Sequence, residues 1–264
     1  MRRSERADFP GSNGNLAAIL DLPDGPPKAV GVFTHCFTCN KDLKAIVRIS
    51  RGLAEQGVAI LRYDLTGLGH SVGDFSITNF STNQSDLRAA VSFAQSEVRA
   101  PLFLIGHSFG AACSLSLAES LPSVRGVVSI AGPSDTQHLA ALLEKMDPEI
   151  SVKGIGSVHI GGRGYVIRKQ MLDDFRSHDL PATLRHLTKP ALLCHSPADE
   201  TLGYDHALRI FACLNQRTAG DPDPPPASLI TIPGADHLFT KNPADIDFVV
   251  SVMNGWVERM VAAN

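Results

Sequence analysis

The sequence predicts an α/β fold in which helices cover both faces of a mostly parallel central sheet. Short apolar runs alternate with helical patterns along most of the 264 residues. The runs are continuous rather than alternately apolar and polar, which is typical of strands that are covered on both faces. A chain of this length can bury a large core. In such sheets, active sites lie beyond the carboxyl ends of the strands.

The predicted elements follow from these patterns in chain order. Apolar runs predict strands at residues 16–20, 29–34, 58–63, 102–105, 124–130, 191–194 and 228–232. Apolar residues at helical spacing predict helices at residues 41–56, 80–97, 109–121, 204–214 and 244–261. The proline-rich segment at 221–226 predicts a stiff surface connector.

Between residues 133 and 189 the alternation of strands and helices is interrupted. A helical stretch at 134–145 is followed by a glycine-rich hairpin at 151–167 and by a further helix. We interpret 133–189 as a small cap inserted into a core that consists of 1–132 and 190–264.

The most informative motif is Gly106-His107-Ser108-Phe109-Gly110, between the strand at 102–105 and an Ala/Leu-rich helix. So sharp a turn strains the backbone of its serine and requires small residues at 106 and 110, where strand and helix approach each other. It also places the hydroxyl beside free helix N–H groups, which favour an oxyanion. This context is typical of a nucleophile elbow, and it predicts Ser108 as the nucleophile.

A second Gly-x-Ser-x-Gly pattern occupies residues 69–73, with Ser71 at its centre. The strand before it ends at residue 63, several turn-forming residues intervene, and residues 74–79 do not begin a helix. We therefore interpret Ser71 as a loop serine.

A serine hydroxyl needs an imidazole to take its proton and a carboxylate to orient that imidazole. In this topology the acid follows the strand after the cap and the base follows the last strand. Asp199 lies a few residues beyond the strand at 191–194, and His237 lies between the final strand and the final helix. The predicted catalytic set is Ser108, Asp199 and His237.

Other titratable residues remain as alternatives. Glu200 competes with Asp199 for the acid, and His195 is a rival base at the end of its strand. Asp205 and Asp236 are interpreted as helix-cap or surface carboxylates. His107 is too close to Ser108 to act as its base, so packing or local hydrogen bonding is expected for it.

The oxyanion donors are expected to be backbone amides. One is the N–H of Phe109, and the other comes from the loop after the strand at 29–34, where the N–H of Phe37 is best positioned. The same loop contains Cys36-x-x-Cys39. Because the five cysteines are scattered and odd in number, we expect no disulfide framework and a reducing compartment. A redox role for Cys36 and Cys39 is a minor alternative.

With these residues, the chain resembles the α/β-hydrolase superfamily over nearly its whole length. The resemblance rests on 106–110, the His35-Cys36-Phe37 loop where many members have His-Gly-x, the structural Asp64-x-x-Gly67-x-Gly69-x-Ser71, Asp199 and His237. More narrowly, residues 35–42, 66–69 and 74–75 resemble the hydrolase half of bacterial proteins that fuse an α/β-hydrolase to an OsmC-type domain. No OsmC-type domain lies in these 264 residues, so we do not expect a peroxidase role.

The resemblance implies a serine hydrolase that cleaves carboxylic esters, and the small cap with few aromatic residues favours short acyl chains. Peptidases, thioesterases and C–C hydrolases share this apparatus, and a non-catalytic or redox-associated binding module is a further alternative. The net charge of −3 gives no indication of nucleic acid or an anionic membrane as a partner. We expect no cofactor and no metal, and a cytoplasmic location without a targeting segment or membrane span; a homodimer is one option for the oligomeric state.

Overall fold

The structure is a computed structural model that describes residues 3–216 and 227–262. Its eight-stranded sheet has the strand order β1-β2-β4-β3-β5-β6-β9-β10. β1 pairs with β2 and β2 with β4 in antiparallel fashion, and all other neighbours in this sheet are parallel. The predicted mostly parallel sheet is confirmed. The proposed connector at 221–226 lies outside the described residues.

The strands are β1 (Arg3–Gly11), β2 (Gly14–Leu22), β3 (Ala29–Thr34), β4 (Val58–Tyr63), β5 (Leu102–His107), β6 (Val124–Ile130), β7 (Ile155–Ile160), β8 (Arg163–Arg168), β9 (Ala191–His195) and β10 (Ala227–Thr231). The helices are α1 (Lys44–Glu55), α2 (Phe80–Glu97), α3 (Phe109–Leu117), α4 (Gln137–Met146), α5 (Glu149–Lys153), α6 (Lys169–Ser177), α7 (Leu180–Arg185), α8 (Asp205–Asn215) and α9 (Pro243–Ala262). Short 3₁₀ turns lie at Phe75–Ile77 and Ala118–Ser120.

Helices cover both faces of the sheet, as the continuous apolar runs predict. Every residue of β3, β4 and β5 is buried. Successive β5 residues point to opposite faces: Leu104 packs into a core shared with α2, α3 and α8, whereas Phe103 packs into one shared with α1 and α9. The central strands are therefore shielded from water on both sides.

The strand β1 was not predicted from the sequence because its residues form no apolar pattern. Eight of its nine residues are exposed or half-buried, and Phe9 alone is buried. It forms because its backbone pairs with β2 along its whole length, from Arg3 opposite Leu22 to Gly11 opposite Gly14. Backbone pairing at an exposed sheet edge requires no buried side chains, so the sequence carries little signal.

The segment between β6 and β9 contains α4, α5, the hairpin β7–β8, α6 and α7. The predicted hairpin is confirmed, and its turn uses Gly161 and Gly162, both with positive φ (58° and 78°). Buried side chains of the segment, including Leu143, Met171 and Phe175, pack into the same core as α2 and α3.

Candidate active site

Ser108 lies at the sharp turn between β5 and α3, with φ 54° and ψ −122°. This left-handed backbone is unusual for a residue with a side chain and stores strain. A Cβ on Gly106 would lie 2.3 Å from the carbonyl oxygen of Gly110, and one on Gly110 would lie 2.2 Å from the carbonyl oxygen of Thr34. Strand and helix therefore approach so closely that only glycine fits at both positions.

Asp199 and His237 are joined by a hydrogen bond of 2.7 Å between Asp199 Oδ2 and His237 Nδ1. The other carboxylate oxygen, Oδ1, accepts the backbone N–H groups of Thr201 and Leu202, each at 2.9 Å. Burial alone would raise the pKa of Asp199. The hydrogen bonds from His237 and from the two amides outweigh burial and hold this pKa below its ordinary value.

The bond to Asp199 also determines the tautomer of His237. An ionised carboxylate only accepts, so Nδ1 carries the proton and Nε2 is left as an acceptor. The backbone of His237 is held by His107, whose Nε2–H donates to the His237 carbonyl oxygen at 2.8 Å. Burial, followed by the charge of His237, lowers the pKa of His107 to about 3. The expected local hydrogen-bonding role of His107 is confirmed.

The rival acids and bases are engaged elsewhere. His195 donates through Nε2 to the Leu202 carbonyl at 2.9 Å, and that nitrogen lies 3.6 Å from Asp199 Oδ2. Glu200 is exposed and faces Lys241. Asp205 pairs with Arg209 in the first turn of α8. Asp236 accepts hydrogen bonds from residues 240 and 241 in its own loop.

A pocket of about 720 Å³ lies beside these residues. The residues that line it include Ser108, Phe37, Phe109 and His237, which the sequence predicts as site residues. Its apolar wall comes from the segment between β6 and β9, through Leu139, Leu142, Met146, Ile160 and Tyr165. Ser108 Oγ makes no hydrogen bond within the described part of the chain, so Ser108 and His237 share the pocket without a direct bond.

The loop that carries Phe37 is fixed at both ends. His35 donates from Nδ1 to the Cys36 carbonyl at 2.7 Å and accepts the Leu65 N–H at Nε2 (3.1 Å). Burial lowers the pKa of His35, consistent with this neutral tautomer. Beyond the loop, Lys41 Nζ forms a buried ion pair of 2.7 Å with Asp64 Oδ2.

Cys36 and Cys39 form a disulfide, a bond that the expectation of no disulfide framework and a reducing compartment did not anticipate. The turn is closed by a hydrogen bond from the Cys39 N–H to the Cys36 carbonyl at 3.2 Å. It brings the two Cα atoms within 5.4 Å, inside the range that a disulfide can bridge. The Cys-x-x-Cys spacing could have indicated this bond. The prediction rested instead on the odd number and the scatter of the five cysteines. Cys113, Cys194 and Cys213 are free.

Tyr165 is a site residue that the sequence does not reveal. It lies on β8, and its hydroxyl donates to the Thr38 carbonyl at 3.1 Å across 127 residues of sequence. Its ring packs edge-on against Phe75 at 5.3 Å. No local pattern marks such a contact, because it depends on how the hairpin β7–β8 lies over the loop at 35–42.

Two other kinds of feature are absent from residues 3–216 and 227–262. No group of three or more His, Cys, Asp or Glu side chains in these ranges could hold a metal ion. In the same ranges, no helix has the length and apolar character to cross a membrane.

Comparison with known proteins identifies relatives along the whole chain. The Hydrolase_4 family (serine aminopeptidase, S33) matches residues 25–154. The esterase domain of a Rhodothermus marinus protein is 35% identical over 98% of this chain and 99% of its own, with a TM-score of 0.74. Est1E of Butyrivibrio proteoclasticus with bound ferulic acid is 21% identical over 97% and 99% of the two chains, with a TM-score of 0.82, and shows the shared fold.

A curated relative from Rattus norvegicus is the mitochondrial palmitoyl-protein thioesterase ABHD10. It is 23% identical over 235 residues, which cover 87% of this chain and 75% of that protein. The full-length match to the Rhodothermus domain, together with the strand order and the strained serine between β5 and α3, leads to one conclusion. This chain belongs to the α/β-hydrolase superfamily, as one of its serine hydrolases.

Proposed function

We propose that the protein hydrolyses carboxylic esters through an acyl-enzyme on Ser108. The observation that carries this proposal is the hydrogen bond between Asp199 and His237, at the edge of a pocket that also contains Ser108. A buried carboxylate bound to one imidazole nitrogen leaves the other nitrogen free to accept a proton. The 35% identical esterase domain supports the same activity.

In the first half-reaction, Ser108 Oγ attacks the ester carbonyl and His237 Nε2 takes the hydroxyl proton. Asp199 stabilises the resulting imidazolium, and its lowered pKa keeps it ionised at neutral pH. His237 then protonates the leaving alcohol, which leaves an acyl group on Ser108. In the second half-reaction, His237 activates a water molecule that cleaves the acyl-enzyme and restores the serine.

The negative charge that forms on the carbonyl oxygen needs donors. The N–H of Phe37 has no acceptor among the described residues. The N–H of Phe109 is in the first turn of α3, where helix N–H groups have no intrahelical partner. Both residues line the pocket, and the amino end of α3 adds a favourable dipole. We assign these two amides as the oxyanion hole.

The pocket wall favours short acyl chains. Leu142 and Met146 line it but remain 44% and 46% exposed. A methylene group contributes about 0.8 kcal/mol only when it is fully removed from water. Chain carbons that lie against a half-exposed wall gain less, so longer chains add little binding energy. We propose that the segment between β6 and β9, as a cap, sets this limit.

The pocket argues against an aminopeptidase. An aminopeptidase has to bind the ammonium group of its substrate, and an unpaired carboxylate is the strongest acceptor for it. Asp42 is the one carboxylate that lines this pocket in the described residues, and its oxygens are occupied by Arg62 (2.8 Å) and Lys41 (3.2 Å). These partners contribute to a pKa for Asp42 below its usual value, against the opposing effect of burial.

The test is a panel of p-nitrophenyl esters from acetate to palmitate, with a Ser108→Ala preparation as the blank. We expect kcat/KM to be highest for acetate or butyrate and to fall towards palmitate. Rates that rise with chain length up to palmitate would overturn the proposed chain-length preference. A matched acyl thioester and an aminoacyl p-nitroanilide complete the panel. Cleavage of the thioester about tenfold faster than the ester would favour a thioesterase, the activity for which the rat relative is named.

A further inference from the structure

The Cys36–Cys39 disulfide encloses Phe37, the residue to which the proposed function assigns one oxyanion donor. Cys36, Phe37 and Cys39 all line the pocket that contains Ser108. The covalent bridge therefore closes a four-residue ring that contains this amide.

The backbone within this ring is held in an unfavourable conformation. Thr38 has φ 61°, a left-handed value that is costly for a β-branched residue. Weaker contacts support it: Thr38 Oγ1 donates to the Phe37 carbonyl at 2.6 Å, and Tyr165 donates to the Thr38 carbonyl. Strain of this kind persists only where the surroundings enforce it. The disulfide is the covalent part of that enforcement, so cleaving it lets the peptide units around Phe37 relax.

The two cysteines differ in exposure. Cys36 is 5% exposed, whereas Cys39 is half-buried, and both line the pocket. A small thiolate can therefore attack Sγ of Cys39, breaking the Sγ–Sγ bond and releasing the Cys36 thiolate. A second thiolate then attacks the external sulfur, which releases the oxidised reagent and the Cys39 thiolate. Two external thiols are oxidised and one protein disulfide is reduced, so the exchange is balanced.

We infer that the Cys36–Cys39 disulfide positions the Phe37 amide for oxyanion binding and makes ester hydrolysis responsive to thiols. The inference rests on the proposed function. The oxidised enzyme is the active form, and reduction by a dithiol lowers its turnover. Removing an oxyanion donor outright costs about 10² to 10³ in kcat. A donor that is loosened rather than removed gives a smaller loss, and we expect about tenfold. KM changes little, because the amide binds charge that appears only in the transition state.

The first test compares p-nitrophenyl acetate hydrolysis by the oxidised protein and by the protein reduced with dithiothreitol, with free thiols counted under both conditions. We expect kcat to fall about tenfold on reduction, KM to stay within about twofold, and activity to return on reoxidation with glutathione disulfide. The double variant Cys36→Ser/Cys39→Ser should have the activity of the reduced enzyme and no response to dithiothreitol. The matched control is Cys213→Ser, since Cys213 lies on α8 and does not line the pocket. It should respond as the wild type does.

The second test separates oxyanion positioning from general loosening of the fold. A trifluoromethyl ketone forms a hemiketal oxyanion with the serine, so its inhibition constant should rise by the same factor as kcat falls. Equal kcat and equal inhibition constants in oxidised and fully reduced enzyme would overturn the inference and leave the proposed function intact. An oxidised enzyme that neither hydrolyses esters nor binds the ketone would overturn the proposed function itself. Circular dichroism is the check that the reduced protein remains folded.

Discussion

The chain contains the pentapeptide pattern Gly-His-Ser-x-Gly twice, and the two copies fold in opposite ways. At 106–110 the serine carries the strained backbone, with φ 54°, and the glycines are needed for close approach. At 69–73 the glycines carry the positive φ angles, 55° for Gly69 and 121° for Gly73, and Ser71 is not among the residues with positive φ. The same residue pattern therefore strains the backbone of the serine in one copy, whereas in the other copy the glycines adopt the positive φ angles and the serine does not.

The hydroxyl groups of Ser71 and Ser108 also differ in their hydrogen bonds. Ser71 Oγ donates to the Asp64 carbonyl at 2.6 Å and accepts the Ala17 N–H at 2.9 Å, so both of its functions are used in joining a loop to β2. Ser108 Oγ has no hydrogen-bond partner among the described residues and faces a pocket. A satisfied hydroxyl stabilises a loop, and an unsatisfied one at a strained turn is available for reaction. The element after each pentapeptide, a helix in one copy and a loop in the other, decides between these roles.

The largest expected effect separates the two serines directly. Ser108→Ala should lower ester turnover by about a thousandfold or more, because no other described hydroxyl lies at a strand-to-helix turn beside His237. A small residual rate should persist, owing to the oxyanion donors. The measurement is kcat/KM for p-nitrophenyl acetate, with circular dichroism as the check on folding. Near wild-type turnover in Ser108→Ala would remove the basis of the comparison.

The next effect tests whether the pentapeptide at 106–110, and not the one at 69–73, is served by a base. His237→Ala should lose about as much turnover as Ser108→Ala, because an unassisted hydroxyl attacks slowly. Asp199→Asn should lose somewhat less, because the imidazole remains but the tautomer is no longer fixed. Both are measured as kcat at saturating substrate. A folded His237→Ala protein with more than about a tenth of the wild-type kcat would contradict the assignment of the base.

The histidines of the two pentapeptides give a matched pair for pH dependence. His107 is buried, whereas the side chain of His70 is 75% exposed. The pKa of His107 is lowered from 6.5 to about 3 in the folded protein, so the unfolded chain binds more protons between these values. The free energy of unfolding should therefore fall as pH drops from 6.5 towards 3, by about 1.4 kcal/mol per pH unit from this group.

Urea unfolding at several pH values measures this slope. His107→Gln should reduce it, and His70→Gln, which replaces the exposed histidine of the pentapeptide at 69–73, is the matched control. Other buried histidines such as His35 and His195 contribute in both variants, so the difference in slope is the diagnostic quantity. Equal slopes in both variants would show that burial of His107 has no effect on the stability.

The smallest effect belongs to the loop serine. Ser71→Ala removes two hydrogen bonds, and we expect a loss of about 1 to 2 kcal/mol in the free energy of unfolding with little change in kcat. Thermal unfolding measures the loss of stability, and ester turnover on the same sample measures kcat. A folded Ser71→Ala protein without activity would mean that the wrong pentapeptide has been assigned.

The central sheet was predictable from the sequence because its strands are continuous apolar runs. β3, β4 and β6 have the predicted limits, whereas α1 begins at Lys44 rather than at residue 41 and α3 ends at Leu117 rather than at residue 121. In both helices the difference lies at a terminus, where turn residues still satisfy a helical pattern. β1 was missed because its residues are polar and its stability comes from pairing with β2.

The candidate site was predictable where topology orders the residues along the chain. Ser108, Asp199 and His237 each follow a strand of the parallel part of the sheet. Because the carboxyl ends of parallel strands lie at one edge, the three residues were expected at the same edge of the sheet. Tyr165 and the Cys36–Cys39 bond were not predicted in the same way. The contact of Tyr165 depends on how a hairpin lies over a loop, which no local pattern encodes. The Cys-x-x-Cys spacing allows a disulfide, but whether the bond forms depends on how tightly the loop turns.

The most direct test of the central claim, that one of two equal sequence patterns holds the reactive serine, is to map the adduct of a fluorophosphonate probe by peptide mass spectrometry. We predict a stoichiometric adduct on Ser108, no adduct on Ser71, and loss of labelling in Ser108→Ala but not in Ser71→Ala. An adduct on Ser71, or undiminished labelling of Ser108→Ala, would contradict the claim.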